Sequence, residues 1–281
     1  MLPMRDGVKL STDVLVPLHL GKPGKQFPTV IDRSPYGHTG TELVADIYLL
    51  WYGAATVTQD FRGSGESEGN FSLWHTASND TADTIAWIRE QKWSDGRVFT
   101  VGASADGIAS LLVPLDETSK LSGQFIIFAT AEAYNTIYPG GAYRAALIDD
   151  WLKGTVPSQA DDLIRYTRSK ESYLDPWWRP VELKGKFDKV DAPAIFWGGC
   201  VFACVCCLKC VASASQVRRK CDSADPASNS VIGGTTFSSA AHCTGSKATN
   251  TRRTHQLLEN LTSWLIPSVT AKKLPINSMV T

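Results

Sequence analysis

Cysteine is missing from the first 199 of 281 residues, and tryptophan is nearly missing from the remainder. All seven cysteines lie between Cys200 and Cys243, and Trp264 is the one tryptophan after position 199. The first stretch is therefore a fold stable without disulfides, as a reducing compartment also requires. Net charge is absent as well: 28 Lys and Arg balance 28 Asp and Glu, so bulk charge favours neither nucleic acid nor an acidic surface. Long apolar runs are lacking, since the longest, near Phe196 to Leu208, is about half of the ~20 residues a membrane helix needs, and Lys209 closes it. No membrane span is expected. Nor does Met1-Leu-Pro-Met-Arg-Asp-Gly7 resemble a secretion signal; it reads as the entry to a strand, so an unsecreted, cytoplasmic protein is expected. What is present is 43% hydrophobic residues, enough for one large α/β domain or two small ones.

The neutral total conceals a break. Residues 200–281 carry nine basic and three acidic side chains, a net of +6, which leaves −6 for the rest. A basic, cysteine-rich tail follows an acidic, cysteine-free body.

Along that body, strand and helix patterns alternate. Val8 to Pro17 has a period near two, and Gly21-Lys-Pro-Gly-Lys25 reads as a turn, predicting a strand and hairpin. Phe27 to Asp32 is a short apolar run ending in the loop Arg33-Ser-Pro-Tyr-Gly-His38. Helical spacing follows over Glu42 to Tyr52 and Thr76 to Gln91, with strand-like runs at Ala54 to Gln59, Arg97 to Val101, Phe125 to Ala129 and Ala194 to Trp197. A β-α-β-α rhythm implies a mostly parallel, doubly wound sheet with helices on both faces. Helical, aromatic-rich segments from about Tyr134 to Lys189, including Asp175-Pro-Trp-Trp178, interrupt it and read as a cap inserted over the sheet edge.

The candidate nucleophile is Ser104, in Val101-Gly-Ala-Ser-Ala-Asp-Gly107 between a strand and the helix-compatible Ile108 to Leu115. A sharp strand-to-helix turn would lift its Oγ above the sheet and leave the next backbone N–H at a helix N-terminus, where it can stabilise an oxyanion. The strict G-x-S-x-G pattern is not met, because position 106 is Asp and the glycine comes at 107. A serine in such a turn is also compatible with a purely structural role.

Context narrows the choice. Met4-Arg-Asp-Gly-Val-Lys-Leu10, Arg33-Ser-Pro-Tyr36, Gln59-Asp-Phe-Arg-Gly-Ser-Gly-Glu-Ser-Glu-Gly69, Trp87-Ile-Arg-Glu-Gln-Lys-Trp-Ser-Asp-Gly96 and Val101-Gly-Ala-Ser104 occur in order. Together they resemble the α/β-hydrolase family that contains X-prolyl dipeptidyl peptidases, cocaine esterase and α-amino-acid ester hydrolases, over residues 4–199. The resemblance implies an α/β-hydrolase core and a Ser-Asp-His triad with Ser104 as nucleophile. It also implies an oxyanion hole made by the Ala105 N–H and the Tyr36 hydroxyl. The family usually has tyrosine directly after the serine; Ala105 keeps the N–H and loses the ring. His19, His38 and His75 precede the nucleophile and read as structural, because the triad of this fold runs serine, acid, histidine. The glycines 63, 65 and 69 resemble a phosphate cradle, but without G-x-x-x-x-G-K-[ST] they read as a loop held by an Asp60–Arg62 ion pair.

The resemblance ends at Gly199. The family continues with a Gly-Gly-Trp-Tyr-Asp-like segment supplying the triad acid, where this chain has Gly198-Gly-Cys-Val-Phe-Ala-Cys204. The downstream histidines, His242 and His255, sit in no matching motif; His242 is the candidate base. Cys207-Leu-Lys-Cys210 with His242-Cys243 lacks the second C-x-x-C of a zinc ribbon, so no metal or other cofactor is expected. Val231 to Cys243 mimics a trypsin-like histidine motif without its Gly-Asp-Ser-Gly-Gly partner. A composition switch at the point where a family motif stops suggests that residues 200–281 arise from an altered reading frame or a retained intron, an irregular tail after a 1–199 core, in a chain also without the β-sandwich that usually succeeds the core in this family.

Two functions from different classes remain. One is a serine hydrolase of ester or amide bonds acting on a small ester or an X-Pro peptide, with no nucleic-acid or membrane partner. The other is a catalytically impaired fragment of the same fold lacking the triad acid and base.

Overall fold

The computed structural model describes residues 1–18, 24–37, 43–197 and 270–273. At its start β1 (Leu2–Pro3) and β2 (Lys9–Leu10) pair antiparallel, burying Leu2, Met4 and Leu10 against Val8 and Trp87. The main sheet comprises β3 (Thr12–Leu18), β4 (Phe27–Ser34), β5 (Ala55–Asp60), β6 (Ser94–Ala103), β7 (Gly123–Ile127), β8 (Ala194–Trp197) and β9 (Thr270–Lys273). Its order is β8-β7-β6-β4-β5-β3-β9. The pairs from β5 through β4, β6 and β7 to β8 are parallel, while β3 runs antiparallel to both β5 and β9. β9, the one described segment of residues 200–281, sits at the sheet edge.

The hairpin expected around Gly21–Lys25 does not form: β3 and β4 flank that segment but do not pair, because β5 lies between them. β5 is buried at all six positions and holds the interior place between β4 and β3, which leaves β3 one position further out.

Helices cover both faces. In α1 (Leu43–Trp51), Asp46 takes a hydrogen bond from Thr56, whereas Ile85 and Ile88 of α2 (Ala77–Glu90) pack in one cluster with Val57. Adjacent residues of a strand point to opposite faces, so α1 and α2 lie on opposite sides. α3 (Ala105–Leu112) leaves the end of β6 and buries Ile108, Leu111 and Leu112. Between β7 and β8 the chain makes α4 (Ala133–Ile137), α5 (Ala145–Thr155) and α6 (Ala160–Arg168), with 3-10 turns at Pro176–Val181 and Phe187–Lys189. Ile148, Leu152, Trp178 and Val181 of this insertion share one hydrophobic cluster with Phe61, Trp74, Ile108 and Leu112. No helix among the described residues is long and apolar enough to cross a membrane.

Three of the sequence motifs meet at one buried carboxylate. Asp80, 1% exposed, receives Arg62 at 2.6 Å and lies 3.6 Å from Arg33. Arg33 also donates to the Ala77 carbonyl and the Thr81 hydroxyl, and Arg62 reaches back to Asp6 at 2.6 Å. The expected Asp60–Arg62 pair is thus replaced. Arg62 turns towards Asp80 and Asp6, while Asp60 folds under its own turn and accepts the Glu66 N–H at 2.9 Å. Gly63 gains its reason from packing: a Cβ there would sit 2.1 Å from the backbone nitrogen of Phe71.

Candidate active site

Ser104 stands where β6 ends and α3 begins, with φ 55° and ψ −115°, a backbone state costly for a residue with a Cβ. Two contacts hold it there: its N–H donates to the Ile127 carbonyl at 2.9 Å, and its carbonyl accepts from Ile108 at 3.0 Å. The flanking glycines are required by close approach. A Cβ on Gly102 would lie 2.4 Å from the Asp106 carbonyl carbon, and one on Gly107 would lie 2.7 Å from the Ala129 Cβ. The spacing with glycine at 107 is therefore what this turn demands: 102 and 107 are where the strand end and the first helical turn touch. Ser104 itself is exposed.

Ala105 is buried and opens α3, so its N–H belongs to the first turn, whose donors a helix cannot satisfy internally. Its carbonyl accepts the Trp74 indole N–H at 2.9 Å. Tyr36 lies in the loop after β4, its backbone N–H on the Ser34 hydroxyl. The Tyr36 hydroxyl accepts the Trp151 indole N–H at 3.1 Å. Partial desolvation of that hydroxyl, on a side chain still 55% exposed, pushes its pKa above the usual phenol value, the Trp151 bond opposes the rise, and the charge of Asp106 adds to it. Asp106 is two residues from Ser104, so the phenol and the nucleophile turn face a common charge.

The two tryptophans are in contact: Trp74 and Trp151 stack with centroids 5.5 Å apart and planes 10° from parallel. Tyr36 and Ala105, 69 positions apart in the chain, are thereby joined through two indoles. Sequence reading missed both. The only signal was that Trp74 closes the run after the glycine-rich loop and that Trp151 sits in the aromatic-rich insertion.

His75 is the one histidine among the described residues, and its ring nitrogens face the carbonyls of Ser72 and Trp177, each at 2.8 Å. Burial lowers its pKa, and its ring lies 4.3 Å from that of Trp177. This is a packing role. His19, His38 and His242 lie outside the described residues, as do Gly198 to Cys204, where the family's acid would be sought. A cavity of about 800 Å³ opens between the 70–73 loop and α6, lined by Phe71, Leu73, Leu163, Tyr166 and Trp177 among others. Its lining includes none of Ser104, Tyr36 and Ala105, so the surface around Ser104 is separate from it.

Comparison with known proteins bears on the family and the fold. The family model described as X-Pro dipeptidyl-peptidase (S15 family) matches residues 6–201. Cocaine esterase from Rhodococcus sp. (strain MB1 Bresler) is 31% identical over 172 residues, 57% of this chain and 29% of that protein. The chain thus spans under a third of the length of that relative. Among solved structures, a CocE/NonD family hydrolase from Staphylococcus aureus superposes with TM-score 0.59 and 21% identity, covering 69% of this chain and 39% of that one. An aminopeptidase from a marine sediment Thaumarchaeota archaeon gives TM-score 0.56 and 21% identity over 71% of this chain and 42% of that one. These structures establish the α/β-hydrolase fold, and the family match ends within two residues of the point where the motifs stop.

Proposed function

Because the chain belongs to the X-Pro dipeptidyl-peptidase (S15) family, we propose that it is a serine hydrolase of small esters or of X-Pro amides, with Ser104 as nucleophile. The observation that carries the reading is the elbow: an exposed serine at positive φ at the start of α3, in a turn whose close approach is open only to glycine at 102 and 107. Ser104 Oγ would attack the acyl carbon, and the developing oxyanion would be met by the Ala105 N–H and the Tyr36 hydroxyl. The alcohol or amine would leave with a proton, and water would then hydrolyse the acyl-serine. The inserted helices over residues 134–189 would act as the cap that shapes the acyl site. Ester substrates are favoured by likeness to cocaine esterase and X-Pro amides by the family match.

A histidine to accept the proton would have to come from outside the described residues, because His75, the one histidine among them, faces the carbonyls of Ser72 and Trp177. The run Gly198-Gly-Cys-Val-Phe-Ala-Cys204, which carries no acid where the family has one, favours a second reading, an impaired hydrolase in which the oxyanion site persists without a competent triad. A fluorophosphonate probe decides between them. Labelling of the folded protein that disappears in S104A supports the hydrolase; no labelling, or equal labelling of S104A, overturns it. In the active case Y36F lowers kcat by about 100-fold, the cost of one oxyanion donor, with a smaller change in KM.

A further inference from the structure

We propose that Trp74 and Trp151 are positioning residues for the hydrolase just described, a stacked pair that sets both oxyanion donors through one contact between the inserted helices and the sheet. The inference rests on the assignment of Tyr36 and Ala105 as those donors.

Three elements converge on the pair. Trp151 belongs to α5 of the insertion, Tyr36 to the loop after β4, and Ala105 to the first turn of α3. Trp74, 3% exposed, is fixed by its bond to the Ala105 carbonyl and by burial. Trp151 lies on Trp74 with one face and takes the edge of Phe71, at 6.0 Å and 65°; Phe71 in turn stacks on Phe61 at 6.4 Å. The indole of Trp151 is therefore held on two sides.

The chemistry of the link has one sense. An indole N–H only donates, so the Tyr36 oxygen must be the acceptor from Trp151 and its own O–H is not spent on that bond. A carbonyl or carboxylate in the place of Trp151 would consume the hydroxyl hydrogen that an oxyanion needs. Donation into the phenol oxygen also polarises the O–H and strengthens it as a donor. At the other end, the Trp74 N–H anchors the Ala105 carbonyl and with it the turn that carries the Ala105 N–H. The pair thus sets the spacing of donors that come from distant parts of the chain, and it does so only when α5 is seated.

The test uses the full chain and the variants W151F and W74F, which keep a ring in place and remove one N–H each. With a small activated ester such as p-nitrophenyl acetate, W151F is expected to lower kcat by roughly tenfold while KM changes less than about twofold, and W74F to act in the same direction. In a Y36F background, W151F should have little further effect, because the hydroxyl it orients is gone. A merely structural tryptophan would cost the same in both backgrounds, and that result overturns the proposal. A second readout needs no turnover: the 13Cζ resonance of Tyr36, identified by its loss in Y36F, is titrated with pH. Removal of the Trp151 donor should raise the Tyr36 midpoint, and an unmoved midpoint overturns the link whether or not the protein hydrolyses anything. If the wild type fails to label with fluorophosphonate while the midpoint rises in W151F, the hydrolase reading falls and the clamp stands.

Discussion

Around Asp80 the fold keeps charge inside, whereas around Trp178 it keeps rings, and the two regions respond to damage differently. Asp80 gathers Arg33 and Arg62 from the ends of neighbouring strands, and through Arg62 it draws in Asp6 near the N-terminus. Trp178, 1% exposed, packs edge-on against Tyr134 at 5.2 Å and Trp177 at 4.5 Å and donates its N–H to the Lys170 carbonyl at 3.0 Å. The first region is all or nothing, because a buried charge is tolerable only while its counter-charge remains. The second is graded, because each ring contact is worth a fraction of the whole. The teaching is that the motif-bearing half is specified by few irreplaceable residues and the insertion by many exchangeable ones.

The largest effect should come from removing the shared carboxylate. D80A leaves Arg33 buried without its counter-charge and is expected to cost about 3–5 kcal/mol in urea unfolding. The sharper form is a comparison: D80L with R33M should lose less than D80A alone, since both buried charges leave together. If the double variant is the less stable, the contrast between the two regions collapses.

Trp178 comes next. W178A opens a cavity among Tyr134, Tyr138 and Trp177 and should cost about 3–4 kcal/mol, while W178F, which retains a ring but leaves the Lys170 carbonyl without its donor, should cost clearly less. Equal losses for the two would show that the hydrogen bond, and not packing, carries this hub.

The same contrast explains what could be read in the sequence. The turn at Ser104 was legible because its geometry is local: strand, glycine, serine and helix succeed one another, and Gly102 and Gly107 touch within one turn. The place of Tyr36 in the loop after β4 was legible through its motif, while its role stays a proposal. The partner of Arg62 was not, because Asp60 is its neighbour but one in sequence while Asp80 is its neighbour in space. The β3–β4 hairpin failed for the related reason that a turn signal reports a change of direction and not which strand fills the gap; β5 fills it. Trp74 and Trp151 were invisible, since 77 positions separate them and no period links them. His242 lies outside the described residues and stays an expectation.

The smallest effect is a pH dependence within the insertion. Glu182 is buried, with one carboxylate oxygen on the Tyr134 N–H and the other without a hydrogen-bond partner. Burial pushes its pKa up from 4.5 to about 7; the Tyr134 N–H opposes the rise and the nearby charge of Glu132 adds to it. The folded protein therefore holds this proton more tightly than the unfolded chain does. Stability from Glu182 is complete below pH 4.5, declines as pH rises, and reaches its lower level above about 7. E182Q keeps an acceptor for Tyr134 and removes the ionisation, so it should be nearly neutral at pH 4.5 and stabilising by up to about 3 kcal/mol at pH 8. The measurement is the difference between wild-type and variant unfolding free energies across that range, which cancels every other titrating group. A difference that stays flat with pH would mean that Glu182 ionises at no cost, and the insertion would then tolerate a buried charge that the Asp80 region tolerates only when paired.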